Sequence, residues 1–342
     1  MLQKRIILEI KSVYTAHAFM TGSRTLVGAG SETEPVVQLY DMTAGTVENL
    51  YQCPGGMMSL IPVPGWPQYM VSVMGLFPPF IGKDAALFLH RKIGDSWMSS
   101  RAMDLPFAHR CEFLPNSPGK ILIAASVSKF KENPADWSMP GELHAIRLLG
   151  DPSDRWVSEV IDSSLFRNHG MGRYLIDGTE RLCVSGVEGV FSIELSQGGS
   201  IVLIPIFEKE VSELTFIDLD GDGQSELITI EPFHGNILNM YKRDKGAWKL
   251  KFSAPLSFGH GLSSGFFNGE PVVVAGNRKD SLNLEIFTIN NIDKGFVNKT
   301  VIEEGVGPTQ TQVFSFGNGD YILSANQKKN EVALYSGSLT DG

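Results

Sequence analysis

The sequence predicts an all-β fold, a seven-bladed β-propeller whose last blade is closed by the N-terminal strand, and three observations lead there. The first is an internal repeat, which decides the fold before any local pattern does. The segments HGMGRYLIDG from His169, SELTFIDLDG from Ser212 and HGLSSGFFNG from His260 align without gaps. Each opens on a polar or small residue, carries an apolar residue two places on (Met171, Leu214, Leu262) and closes on an Asx-Gly turn (Asp177-Gly178, Asp220-Gly221, Asn268-Gly269). With more tolerance the frame extends to openings at His17, Gly56, His109 and Gln310, a mean step of about 49 residues, the length of a four-stranded blade. The second observation is periodicity: short alternating or apolar runs recur, and no long segment has the 3.6-residue period of a helix. The third is a strand count. Residues 4–10, KRIILEI, read as a strand ahead of the first unit, while the last unit lacks a fourth strand after EVALYSG. Pairing the two ends removes an open sheet edge that would otherwise template aggregation.

In chain order, blade one reads AHAFM, TLVGAG, VVQLYD and TVENLYQ. Blade two reads MMSLIPV, YMVSVMG, AALFLHRK and WMSSRAMDL, with the proline-rich loop LFPPFIGK (76–83) between its second and third strands. Blade three reads RCEFL, ILIAASV, ELHAIRLL and WVSEVI, with SKFKENPADWSMPG (128–141) inserted at the matching place. Blade four is MGRYLID, RLCVSGV, VFSIELS and IVLIPIF, and blade five LTFIDLD, ELITIEP, ILNMYKR and WKLKFSAP. Blade six is LSSGFFN, PVVVAGN, LNLEIFTI and VNKTVIEE. The second strands are almost continuously apolar, as expected for strands covered on both faces. All of this fits one domain over 1–342.

Composition narrows the function. A hydrophobic content of 42% rules out a disordered chain. Lys and Arg number 29 against 38 Asp and Glu, a net charge of −9, which disfavours nucleic acid or an anionic membrane as partner. Three scattered cysteines, Cys53, Cys111 and Cys183, without a CxxC argue against a disulfide framework and point to a reducing compartment. The N-terminal apolar run is broken by Glu9, unlike the core of a signal peptide, and no run approaches the ~20 apolar residues of a membrane-spanning helix. The expectation is a cytoplasmic protein.

The histidines are unevenly placed. His90 and His144 fall inside third strands and read as structural or surface residues. His17, His109, His169 and His260 open innermost strands, which line one mouth of a propeller's central channel, and His234 in EPFHGN falls on a loop of the same face. Blades four, five and six are consecutive, so His169, His234 and His260 are expected to converge. Imidazoles converging without thiolates suit Zn, Mn or another divalent transition metal. The competing reading is a set of channel histidines bonded to each other, to backbone and to water. A second signal is DLDGDGQSE (218–226): Asp218, Asp220 and Asp222 alternate around a glycine turn and Glu226 follows, a spacing that suits a structural Ca or Mg ion, or else a solvated hairpin. Arg278, Lys279 and Lys328 occupy second-strand loops of the same face, where either an anion-binding rim or solvated turns are expected.

The segment ELTFIDLDGDGQSELITIEPFHGNILNMYKR (213–243) resembles an FG-GAP/VCBS-type propeller repeat. The HG openings and the EPFHGN loop resemble the propeller of the aldos-2-ulose dehydratases and similar bacterial sugar-acting proteins. The resemblance covers blades four to six. It implies a metal in the channel mouth and dehydration or β-elimination of a sugar there. A metal chelated by a keto-sugar or uronate would acidify the adjacent C–H, and a base would remove the proton. On that expectation His169, His234 and His260 are ligands, His109 is the base with Tyr174 as a lesser candidate, and His17, Arg110, Arg173, Glu231 and Arg278 contact the sugar. The alternative is a non-catalytic propeller that binds a glycan or a protein through the same mouth.

Overall fold

The computed structural model describes residues 2–51, 53–76, 82–117 and 120–339, so 77–81 of the proline-rich loop lie outside the described residues. Strand β1 (Leu2–Glu9) comes first. Next come β2 (Val13–Thr21), β3 (Arg24–Ser31), β4 (Val37–Asp41), β5 (Val47–Tyr51), β6 (Ser59–Val63), β7 (Trp66–Met74), β8 (Ala86–Ile93) and β9 (Ser96–Asp104). These eight share one sheet in the order β2-β3-β4-β5-β9-β8-β7-β6. Then follow four-stranded antiparallel meanders. The first is β10 (Ala108–Phe113), β11 (Lys120–Ser126), β12 (Leu143–Leu148) and β13 (Trp156–Asp162). The second is β14 (Met171–Ile176), β15 (Thr179–Gly186), β16 (Gly189–Leu195) and β17 (Ile201–Phe207). The third is β18 (Glu213–Ile217), β19 (Glu226–Glu231), β20 (Ile237–Asp244) and β21 (Ala247–Pro255). The fourth is β22 (Gly259–Phe267), β23 (Glu270–Asn277), β24 (Leu284–Asn291) and β25 (Phe296–Glu303). The last sheet has the order β1-β28-β27-β26, from β26 (Pro308–Phe316), β27 (Gly319–Asn326) and β28 (Glu331–Gly337), with a short 3-10 turn η1 (Gln327–Lys329). No helix among the described residues is long and apolar enough to cross a membrane.

The expectation of seven separate four-stranded sheets is corrected to five, because β2 to β9 form a single sheet. Within it, two antiparallel meanders meet through a short parallel contact, Leu50 beside Trp97 and Tyr51 beside Met98. Glu48 of β5 fastens that contact. Its carboxylate accepts the Trp97 indole N–H at 2.7 Å and the Lys92 ammonium at 3.0 Å, and pairs with Arg24 at 2.6 Å. These charge-assisted bonds hold the outer strands together where neither has another neighbour on that side. The expected N-terminal strand does complete the last sheet. β1 pairs antiparallel with β28 from Leu2–Gly337 to Glu9–Glu331, and Lys4 bridges Glu303 and Glu331.

The chain divides into two compact units. Unit one comprises Met1–Ala18, Tyr174–Glu180 and Val211–Gly342, and unit two Phe19–Arg173 and Arg181–Glu210. In unit one the alternation of β23 feeds two cores. Val273 and Ala275 pack with Ile228, Ile230 and Phe287, while Val272 and Val274 pack with Ile322, Ala333 and Tyr335 on the opposite face. In unit two, Ile121, Ile123 and Ala125 of β11 pack with Leu182, Val184 and Ile193 of the following meander. Each such aliphatic side chain, taken out of water, contributes about 1.5–3 kcal/mol. The Asx-Gly turns are met at two of three places. Asp177 and Gly178 (φ 49° and 77°) and Asn268 and Gly269 (φ 55° and 79°) are both left-handed, as a two-residue hairpin turn requires. The third, at Asp220-Gly221, opens into a wider loop between β18 and β19.

His90 is structural, as expected, and its surroundings show why. It is fully buried in β8, with Nε2 2.7 Å from the Ser72 hydroxyl and Nδ1 2.7 Å from that of Ser99, which also contacts Cys53 Sγ at 3.2 Å. Burial pushes its pKa down to about 3. Below its unfolded value near 6.5 the unfolded chain takes up a proton that the native ring refuses, so stability falls as pH falls from about 6.5 towards 3. Urea unfolding at pH 4 to 6 is expected to show a pH slope about 1.4 kcal/mol per unit shallower in His90→Gln than in the wild type. Equal slopes would mean that the ring is protonated in the native state.

Candidate functional site

His260 sits at the start of β22 with both ring nitrogens engaged. Its Nδ1 lies 2.6 Å from the carbonyl oxygen of Thr309. A carbonyl only accepts, so Nδ1 carries the proton, and in the neutral ring Nε2 keeps its lone pair. That lone pair accepts the Tyr14 hydroxyl at 2.8 Å, and the two rings meet edge-on at 5.3 Å. The Thr309 hydroxyl donates to the backbone carbonyl of Tyr14 at 2.7 Å, which fixes the tyrosine from behind. Gly261 permits the close approach of β22 and β26, since a Cβ there would meet the Thr311 side chain at 3.1 Å. Tyr14 was absent from the expected set. It lies 246 residues from His260 in the chain, and only the folding of unit one makes them neighbours.

His234 is held by a strained turn. Its φ is 47°, its N–H donates to the Ser212 hydroxyl at 3.0 Å, and a Cβ on Gly235 would lie 2.0 Å from the Glu231 carbonyl oxygen. Non-glycine residues in this conformation cost about 1–3 kcal/mol and gather at functional sites. The ring stacks on Phe233 at 4.0 Å, meets Phe258 at 4.7 Å and stands 5.3 Å from His260. Two cations flank this group: the Arg278 guanidinium lies over Tyr14 at 5.3 Å and the Lys279 ammonium over Phe258 at 5.0 Å. Arg278 also donates to the Gln327 side-chain oxygen at 2.5 Å. His17 is half-buried on β2.

Unit two holds the other expected pair. The rings of His109, in β10, and His169, just ahead of β14, lie 4.3 Å apart, and both are buried. The His169 N–H donates to the Ser185 carbonyl at 3.1 Å. Asn168, also missed in the sequence, is buried beside this pair in the chain, with neither amide atom hydrogen-bonded among the described residues. Arg110 is half-buried in β10, and Arg173 lies 3.4 Å from Glu112. Tyr174, in unit one, donates its hydroxyl to the Leu214 carbonyl at 2.8 Å and sets its ring against Phe216. The Glu231 carboxylate accepts the hydroxyls of Thr229 and Tyr241. The structure therefore joins His234 to His260 within unit one and His109 to His169 within unit two. The cysteines are buried and free, and burial pushes the Cys111 and Cys183 thiols up to about 12, which removes thiolate chemistry at neutral pH.

The acidic loop has a cation of its own chain. Asp218, Asp220 and Asp222 each bring an oxygen within 4.8 Å of the others. The Lys242 ammonium sits among them, bonded to Asp220, 3.0 Å from Asp222 and 3.9 Å from Glu226. Asp218 meanwhile accepts the N–H groups of Gly221 and Gly223, and Glu226 that of Leu219. Desolvation draws the Lys242 pKa down, yet the bonds to Asp220 and Asp222 outweigh it and leave the pKa above its ordinary value. Burial pushes Glu226 up to about 7. An ammonium of this chain thus shares Asp220, Asp222 and Glu226, three of the carboxylates expected to hold a structural Ca or Mg ion. Lys242→Met is expected to cost about 3 kcal/mol in urea unfolding, and EDTA to leave the wild-type melting midpoint unchanged. A midpoint that falls with EDTA and returns with calcium would show a Ca ion bound at the loop.

No protein-family model matches the chain, and no curated protein matches it in sequence. Solved structures do match in fold. The β-propeller domain of Cps50 (Swd1) from Myceliophteria thermophila aligns with a TM-score of 0.61 at 12% identity, over 98% of this chain and 100% of that one. A protein of unknown function from Desulfotomaculum acetoxidans aligns at 0.56 and 13% identity, over 87% and 86%. The PQQ-bound aldose sugar dehydrogenase of Streptomyces coelicolor aligns at 0.50 and 12% identity, over 98% of each chain. At these identities the likeness establishes architecture alone. The chain has the β-propeller fold.

Proposed function

We propose that this propeller is a metal-dependent lyase or dehydratase that breaks a C–O bond of a keto-sugar or uronate by β-elimination. In this reading His169, His234 and His260 hold a divalent transition ion such as Zn or Mn through ring nitrogens, and His109 is the base. One observation carries it. His260 gives its Nδ1–H to the Thr309 carbonyl, the arrangement by which a histidine is oriented to offer Nε2 to a metal. The same lone pair is what the Tyr14 hydroxyl occupies, so loading requires that hydroxyl to turn aside. The strained seat of His234 beside His260 supports the same reading.

When bound, a divalent ion would supply Lewis acidity toward the sugar's carbonyl or hydroxyl oxygens. His109 takes the proton from the carbon next to the acidifying group. The freed electron pair forms a C=C bond, the C–O bond on the neighbouring carbon breaks, and the leaving oxygen takes the proton that His109 removed. His17, Arg110, Arg173, Glu231 and Arg278 are proposed as sugar contacts, with Tyr174 a second candidate base. An aldose sugar dehydrogenase among structures of the same fold adds weight to a sugar as ligand and none to the reaction. FG-GAP/VCBS kinship of residues 213–243 and a cytoplasmic location belong to the same proposal.

Metal analysis of the purified protein beside the His169→Ala/His260→Ala variant tests it. The expected result is about one transition-metal ion per chain in the wild type, lost in the variant while the circular dichroism of the sheets is kept. His234→Ala is expected to abolish turnover of any sugar found to be a substrate. No transition metal in the wild type, even after one is added back, would overturn the reading and leave a propeller that binds a glycan or protein without catalysis.

A further inference from the structure

We infer that the ligand of this site is an acidic sugar, whose carboxylate is bound by Arg278 and Lys279 in unit one. The inference rests on the sugar-binding part of the proposed function and narrows it. The chain carries a net charge of −9, so its surface as a whole repels anions. Arg278 and Lys279 nonetheless project from one loop with no ion-pair partner among the described residues. The neighbouring Asp280 turns its carboxylate to the Ser257 hydroxyl. Arg278 is half-buried and held in place, since its guanidinium bonds to the neutral Gln327 side chain and lies on the Tyr14 ring.

Both cations lean on rings that reach the histidines. Tyr14 under Arg278 bonds to His260, and Phe258 under Lys279 meets His234. A sugar whose apolar C–H face lies on these rings would bring an attached carboxylate to the two cations. The planar guanidinium fork matches a carboxylate, and charge-assisted bonds of this kind are stronger than neutral ones. A phosphate would seek backbone N–H groups as well. Here the N–H groups of Arg278 and Lys279, on the two cationic residues themselves, are given to the Ser257 carbonyl, and that of Leu282 to the Lys279 carbonyl, which leaves a phosphate fewer of them.

Calorimetric titration of the whole chain, after metal chelation, with oligogalacturonate, the neutral galactose oligomer and galactose 6-phosphate tests this. The acidic oligomer is expected to bind about tenfold or more tightly than the neutral one, and the phosphate no better than the neutral sugar. Arg278→Gln/Lys279→Gln should lose that preference with its circular dichroism unchanged, and Arg278→Lys should retain part of it. Equal binding of acidic and neutral sugars, preference for the phosphate, absence of binding, or a preference kept in the double glutamine variant would each overturn the inference. Acid-selective binding without metal or turnover would support it while the lyase reading fails. Metal-dependent elimination from a neutral keto-sugar alone would overturn it and leave that reading intact.

Discussion

A strand that is apolar on both faces must be covered on both, and this requirement orders the sheets of the molecule. β23 meets it by sending Val273 and Ala275 into one core and Val272 and Val274 into another. No single layer could satisfy such a strand, so the meander that holds β23 has a neighbour on either side within unit one. Outer strands carry the opposite pattern: β25 and β13 are largely exposed, and their charged residues discourage edge pairing. Where two outer strands do meet, at β5 and β9, a buried indole and a shared carboxylate hold them. Of the histidines, His17, His109 and His260 lie on first strands (β2, β10 and β22), His169 just ahead of β14 and His234 in the turn after β19.

Within unit one those first strands turn packing into chemistry. β22 and β26 approach closely enough for Thr309 to fix both the tautomer of His260 and the position of Tyr14. Orientation by a backbone carbonyl is inexpensive and rigid, and it determines which nitrogen faces a ligand. The aromatic neighbours of His234 and His260 carry Arg278 and Lys279 at their outer side, so a basic nitrogen and two cations share one aromatic support. A site built this way has its polar groups supported by β-strands and tight turns, which favours precise positioning.

Much of the fold was legible because its signals are local. Asn268-Gly269 and Asp177-Gly178 announce hairpin turns through their left-handed backbones, and every expected opening falls in or just before the first strand of a meander. KRIILEI was legible as the missing strand of the last sheet. The joined sheet was not, since it depends on Glu48 finding Trp97, 49 residues away. The same physics hid the site's finer features. DLDGDGQSE spells a cation loop, but the Lys242 ammonium that pairs with Asp220 and Asp222 comes from a different strand and could not be read from the loop. Tyr14 in SVYTAHA reads as an ordinary core aromatic until folding sets it against His260, and Asn168 is unusual only because it is buried. Local grammar reports turns and faces, whereas partners across strands are settled by packing.

The imidazole 15N spectrum of histidine-labelled protein tests most directly that His260 offers Nε2. Without metal, His260 should show a protonated Nδ1 and an Nε2 that accepts a hydrogen bond, the latter changed by Tyr14→Phe. Zinc added to one equivalent should move the His260 Nε2 signal to the range of a metal-bound nitrogen, together with one nitrogen each of His169 and His234, while Nδ1 of His260 keeps its proton. A protonated Nε2 before zinc, or three rings unmoved at one equivalent, would contradict the account.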